Sequence, residues 1–316
     1  MRILFICKDR GSYKHGKFGL WNSARLVINA IQNKNCECRL IATVDGNSID
    51  KEVYTYKPQI VVLEAIWVTP DKLIELQKLH PTVLWVIRIH SKATFLANEG
   101  MAFRWIKDYC DIKRTIVTVN NLEFCNDMRN IGYPIQYLPN IYTMQYTHKP
   151  ARKYNGNIIH IGCFGALRPM KNHVSQAIAA IKFAKDIGKN LRFHINCALD
   201  GNNENVLKSL VSLFSKYSNH QLVRHEWMPH DEFCQVVRNM DLGMQVSLSE
   251  SFNIVSADFV YAGVPIIASK EIKFINSIFT CNNDTNEMVR ALKIAYYTKR
   301  INLQYLNMIL LNKHNV

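Results

Sequence analysis

A chain of 316 residues can bury one large core or two of ordinary size. With 48% hydrophobic and 20% charged residues it is globular, not disordered, and no apolar run reaches membrane-spanning length. The 39 basic and 25 acidic residues leave a formal charge of +14, which favours polyanionic company: nucleic acid, an anionic membrane face or a phosphorylated ligand.

The opening M-R-I-L-F-I-C-K-D-R is too short in its apolar part for a signal peptide, and Arg2 to Cys7 reads as a buried first strand. A Gly-rich basic loop, Lys8 to Leu20, carries Gly11, Ser12, Gly16 and Gly19. A helix follows, with Trp21, Ala24, Val27, Ile28 and Ile31 at helical spacing. Strand, Gly loop and helix suit phosphate or sugar binding, but the G-x-G-x-x-G dinucleotide spacing is absent. Cys38–Val44, Ile60–Glu64 and Val83–Ile89 are further strands, with Pro70–Leu79 a helix between them. This alternation predicts a parallel sheet with helices on both faces. Ligands sit at the carboxyl ends of such strands, which marks Arg88, His90 and Ser91. Phe95–Tyr109 reads as a helix, and Arg114–Val119 and Gln136–Leu138 as strands. The polar, basic stretch after Tyr142 reads as a linker.

The second half starts with strand Asn157–Cys163 and the loop G-C-F-G-A-L-R-P-M-K-N-H over 162–173. Leu191–Cys197, Leu222–His225 and Met240–Val246 are strands, and Asn203–Tyr217 is a helix. Trp227 and Met228 read as core or as a base contact. The stretch S-E-S-F-N-I-V-S-A-D-F-V-Y-A-G-V-P-I-I-A-S, 249–269, puts Glu250 and Asp258 eight residues apart, near one face if both are helical. Ser251 to Asn253 form the helix entrance, where backbone N–H groups attract anions. Gly263-Val264-Pro265 ends the helix, and Ile266 to Ala268 is a buried strand. Ile275–Phe279 reads as a strand and Thr285–Ile309 as a long helix. The nine cysteines are scattered, which points to reduced cytoplasmic thiols, not a disulfide framework or metal site.

Residues 250–268 resemble the Glu-x7-Glu signature of retaining glycosyltransferases with the GT-B fold, the group of glycogen synthases and phosphatidylinositol mannosyltransferases. The family form is E-G-F-G-x-x-x-x-E-A-x-x-x-G-x-P-V-I-A. Glu250, Phe252, Gly263, Pro265, Ile267 and Ala268 match, while Ser251 and Asn253 replace glycines and Asp258 replaces the second Glu. Residues 162–173 resemble the family's G-R-L-x-x-x-K-G donor-diphosphate motif through Gly165, Leu167 and Lys171. Ala166 replaces the Arg and Asn172 the second Gly, and Arg168 is the candidate to take over the phosphate role.

The resemblance implies an α/β chain of GT-B type, two Rossmann-like domains facing a central cleft. The expected bounds are an acceptor-side domain over 1–145, a linker over 146–156 and a nucleotide-sugar domain over 157–316, the last helix crossing back to the first. It implies His90, Glu250, Arg168 and Lys171 as catalytic residues. Gly165, Ser251, Phe252, Asn253 and Asp258 join the donor site, and the Gly loop, Arg88 and His90 the acceptor side. The co-substrate would be a nucleotide-diphosphate sugar, with no other cofactor and no metal; no D-x-D triplet is present. Three readings stay open. One is transfer to hydroxymethylated pyrimidines in DNA by a phage-type member, in the host cytoplasm. Another is transfer to a glycan or lipid-linked acceptor at an anionic membrane face. The third is a non-catalytic nucleotide or nucleic-acid binding module.

Overall fold

The computed structural model describes residues 1–9, 19–143, 156–197 and 204–315. The chain divides into two compact units, Met1–Thr143 and Met144–Val316. The linker expected over 146–156 lies almost wholly outside the described residues, as do Gly11, Ser12 and Gly16 of the Gly-rich loop.

In chain order the first unit has β1 (Arg2–Lys8), α1 (Gly19–Ile31), β2 (Glu37–Thr43), α2 (Ser48–Tyr56), β3 (Ile60–Glu64), α3 (Pro70–Leu79) and β4 (Leu84–Ile89). It continues through α4 (Ala93–Leu96), α5 (Ala102–Asp111), β5 (Thr115–Val119), α6 (Leu122–Asn130) and β6 (Gln136–Tyr137). The six strands are parallel, in the order β2-β1-β3-β4-β5-β6. Alternate residues of each strand serve different cores, because successive side chains point to opposite faces. Leu4, Ile6, Leu63, Trp85 and Val117 pack with side chains of α2, α3, α5 and α6. Ile3, Phe5, Val62 and Val86 pack with Ala24, Val27 and Ile28 of α1.

The second unit has β7 (Ile158–Gly162), α7 (His173–Asp186), β8 (Asn190–Asn196), α8 (Glu204–Ser215), β9 (Gln221–His225) and α9 (His230–Arg238). Then come β10 (Leu242–Gln245), α10 (Ile254–Tyr261), β11 (Ile266–Ser269), β12 (Thr280–Cys281), α11 (Thr285–Thr298) and α12 (Tyr305–His314). Its six strands are again parallel, in the order β12-β11-β10-β7-β8-β9. Strand order reverses between β1 and β3 in one sheet and between β7 and β10 in the other. These reversals are where open parallel sheets leave a crevice for ligands.

Four elements differ from their sequence reading. The helix over Phe95–Tyr109 is two, α4 and α5, parted around Gly100. The strand expected at Ile275–Phe279 is instead a 3₁₀ turn, Ser277–Phe279, capped by the Asn276 side chain and leading into β12. The long final helix is broken at Asn302, which takes left-handed φ 53°, and α12 packs against α10 of its own unit. Finally, α10 starts at Ile254, so Glu250 precedes the helix and does not share a face with Asp258. The cause is Asn253: at φ 62° it is left-handed, and its side chain accepts from the Ser256 N–H as N-cap.

Candidate functional site

The two distinctive motifs meet at the β7/β10 reversal. After β7 the chain turns through Gly165 at φ 113°, and no atom would stand within 4 Å of a Cβ there, so ligand or backbone can approach closely. A 3₁₀ turn, Pro169–Lys171, then leads through Asn172 at φ 56° into α7. After β10 the strand runs on to Glu250. Two hydrogen bonds join the loops: the Leu248 backbone N donates to Met170 O at 2.8 Å, and the Asn172 side chain donates from Nδ2 to Val246 O at 3.2 Å. Gln176 of α7 accepts from Val246 N at 2.8 Å while donating to Lys171 O at 2.8 Å.

Across this seam Lys171 Nζ donates to Glu250 Oε1. The same oxygen accepts from Ser247 Oγ and Asn253 Nδ2, each at 2.8 Å. Asn253 Nδ2 also reaches Gln245 Oε1 at 2.8 Å. Glu250 is buried but held by a cation and two neutral donors, which offset its desolvation. Asn172 and Asn253 stand where the resembling family has glycine, and both are left-handed. Asn is the side chain that tolerates this conformation best, so the turns survive the substitution.

The seat of α10 is set by glycines. Phe259 lies over β7 and β10: a Cβ on Gly162 would meet its ring at 2.9 Å and one on Gly243 at 2.7 Å. Phe252 is buried, packed against Phe274 and His314 with ring centroids 5.1 and 5.2 Å away, and so anchors the loop from beneath. Ser251 and Arg168 are half-buried on the same loops, as are Trp227 and Met228 after β9. Asp258 is buried and accepts from His230 at 2.7 Å. Burial alone would lower the His230 pKa, but the Asp258 charge and hydrogen bond raise it to about 10.

The first unit holds a second cluster, at the carboxyl ends of β3 and β4. Arg88 is fully buried, with Nη1 on Glu64 at 3.1 Å and Nη2 on Asn140 Oδ1 at 2.6 Å and Pro139 O at 3.2 Å. Arg88 therefore pins β4 to β3 and to the chain after β6 and presents no charge to solvent. His90 Nε2 bonds Glu64 Oε2. Burial pushes the Glu64 pKa up, but Arg88 and His90 outweigh it and hold the carboxyl below its usual range. Burial also lowers the His90 pKa, and Glu64 only partly opposes it. A neutral imidazole facing a carboxylate must donate from Nε2, which makes Nδ1 the basic nitrogen. Ala65, next to Glu64, has φ 71°, a left-handed conformation costly for a residue with a Cβ.

Sequence reasoning singled out Arg88 and His90 but missed Glu64. A lone carboxylate closing the apolar run I-V-V-L-E was the available signal. Gly19 opens α1, and the rest of the Gly loop that carries Gly11, Ser12 and Gly16 lies outside the described residues.

No protein-family model matches the chain, and no curated protein matches it in sequence. Solved structures do match. The trehalose-6-phosphate synthase OtsA has a TM-score of 0.73 at 11% identity, covering 100% of this chain and 96% of that one. An E. coli trehalose-6-phosphate protein bound with UDP-2-fluoro glucose gives 0.72 at 10% identity, covering 99% and 96%. Anabaena HepE in complex with UDP and glucose gives 0.66 at 12%, covering 99% and 97%. The fold is GT-B. Nine cysteines carry free thiols, and among the described residues no helix is long and apolar enough to cross a membrane.

Proposed function

We propose that this chain is a retaining glycosyltransferase of the Glu-x7-Glu type, moving a sugar from a nucleotide-diphosphate donor to an acceptor hydroxyl. The observation that carries the reading is the meeting of Lys171 and Glu250 at the β7/β10 reversal of a GT-B chain. Lys171 and Arg168 neutralise the donor diphosphate and stabilise it as leaving group when the glycosidic bond breaks. Glu250 receives sugar hydroxyls, Gly165 gives the donor room, and Ser251 and Asn253 line the entrance of α10. His90, with its tautomer set by Glu64, orients the acceptor on the first unit. No metal is needed at the diphosphate, because fixed cations supply the charge. The neighbours with UDP-2-fluoro glucose and with UDP and glucose support a uridine-linked donor.

For the acceptor we propose a hydroxymethylated pyrimidine in DNA, in keeping with the +14 charge. This would place the enzyme in the cytoplasm, a host's if the source is a phage. The test is incubation with a panel of nucleotide sugars and hydroxymethylated or unmodified DNA, followed by nucleoside mass analysis. A hexose- or pentose-sized gain on the modified base alone is the expected result. Nucleoside diphosphate release without such a gain moves the acceptor to a glycan or a lipid-linked sugar at an anionic membrane face. Neither gain nor release across the panel removes the transferase reading in favour of a binding module.

A further inference from the structure

Between α9 and α10 three buried side chains of different chemistry converge. His230 and Cys234 lie four residues apart on α9, on one helix face, and Asp258 faces them from α10. They are 6%, 7% and 3% exposed. Their nitrogen, sulfur and oxygen atoms all lie within 4.8 Å of one another. His230 Nε2 is 2.7 Å from Asp258 Oδ1 and 3.8 Å from Cys234 Sγ, so one ring nitrogen is met by both other groups.

We propose that His230, Cys234 and Asp258 form a binding site for a zinc-class divalent cation that ties α9 to α10. The donor set decides the class of ion. Nitrogen, thiolate and carboxylate together suit Zn²⁺, whereas Mg²⁺ and Ca²⁺ seek oxygen alone. Charge agrees: a thiolate and a carboxylate with a neutral imidazole carry the two negative charges that balance a divalent ion. Balance matters here, since Phe233 and Phe259, neighbours of the cluster in sequence, both pack on Phe164. Tetrahedral zinc bonds imply ligand atoms roughly 3.3–3.8 Å apart. The sulfur–nitrogen separation already has that value, and the nitrogen–oxygen one reaches it by opening about half an ångström. Binding releases two protons to solvent, one from the Cys234 thiol and one from the His230 imidazolium that Asp258 holds, and water fills the fourth position. The ion's work is positional. It fixes α10, whose N-terminal cap is Asn253, from the side opposite Glu250 in sequence.

The test uses the untagged full-length chain, stripped with chelator and dialysed against Zn²⁺ or Co²⁺. The expected result is one ion per chain and, in the cobalt form, a thiolate-to-metal charge-transfer band. Cys234→Ser removes the band and weakens binding about tenfold or more. A Cys36→Ser/Cys38→Ser double variant keeps both, which separates this site from the Cys36 and Cys38 thiols at the start of β2 in the first unit, 3.8 Å from each other. Failure of the wild-type chain to retain an ion overturns the proposal. So does a band that survives Cys234→Ser, or one lost in the double variant. Should Cys234→Ser not fold, wild-type stoichiometry with the double variant decides. None of these readouts depends on sugar transfer.

Discussion

Glu64 holds two partners at once: Arg88 Nη1 donates to both of its carboxylate oxygens, at 3.1 and 3.3 Å, and Oε2 also meets the His90 imidazole. Replacing it separates two roles. Glu64→Gln leaves the buried Arg88 charge uncompensated and should cost about 3–5 kcal/mol of stability, read as a lower urea midpoint. His90→Ala leaves that ion pair intact and should fold nearly normally while lowering kcat by about a hundredfold or more. Equal loss of stability in both variants would reduce His90 to a structural group.

The same pair fixes the sign of the acid response. Both folded pKa values lie below their ordinary ones, 4.5 for Glu64 and 6.5 for His90. Their contribution is therefore complete above the ordinary values and is lost as pH falls through the lowered ones. The stability gap between wild type and Glu64→Gln should be full at neutral pH and close below about pH 4.5. Denaturant titration at several pH values reads this directly, and a gap that widens in acid would contradict it.

Lys171→Ala and Glu250→Gln act on one contact that is partly open to solvent on the lysine side. Each should lower kcat/KM for the donor by about a hundredfold or more, with the thermal midpoint little changed for Lys171→Ala. A double variant should lose less than the two single losses added, because the residues work as a unit. Full additivity would mean that they serve separate steps.

Gly243→Ala tests the seat of α10. The new methyl group meets the Phe259 ring at 2.7 Å, and that ring is confined by Phe164. Overpacking of this kind should cost about 1–3 kcal/mol and shift α10 with its N-cap, so that donor KM rises along with the loss of stability. Calorimetry and donor titration on one sample check both.

The configuration of the product separates two chemistries. Retention is the proposed outcome. A Glu-held His90 with a basic Nδ1 is also the composition of a general base, and base-assisted direct displacement would invert the sugar. Proton NMR of the first-formed glycoside distinguishes them, and inversion would remove the retaining assignment while keeping the GT-B transferase.

Much of this architecture could be read from the chain. Pro70–Leu79 stands as the sequence predicts because Thr69 caps it, Pro70 starts it and its apolar residues repeat at helical spacing. The motifs around Lys171 and Glu250 carry local turn chemistry, which survives exchange of glycine for asparagine. What escaped has tertiary causes. The Glu64 partners lie 24 and 26 residues away, and the His230 partner of Asp258 lies 28 away, with no pattern linking them. The break at Asn302 depends on one residue adopting a left-handed backbone inside an otherwise helical composition.

Asn172 and Asn253 have a last consequence. Glycine would reach the same backbone angles but would roam both hands of conformational space before folding and between encounters. Asparagine roams less, and each of these two is tied by its own side chain, Asn172 to Val246 and Asn253 to Glu250, Gln245 and Ser256. At the proposed donor site, the entropy of shaping these two loops is thus surrendered when the chain folds, not when a ligand arrives. Such loops are a mould set in advance, one that selects its guests by fit.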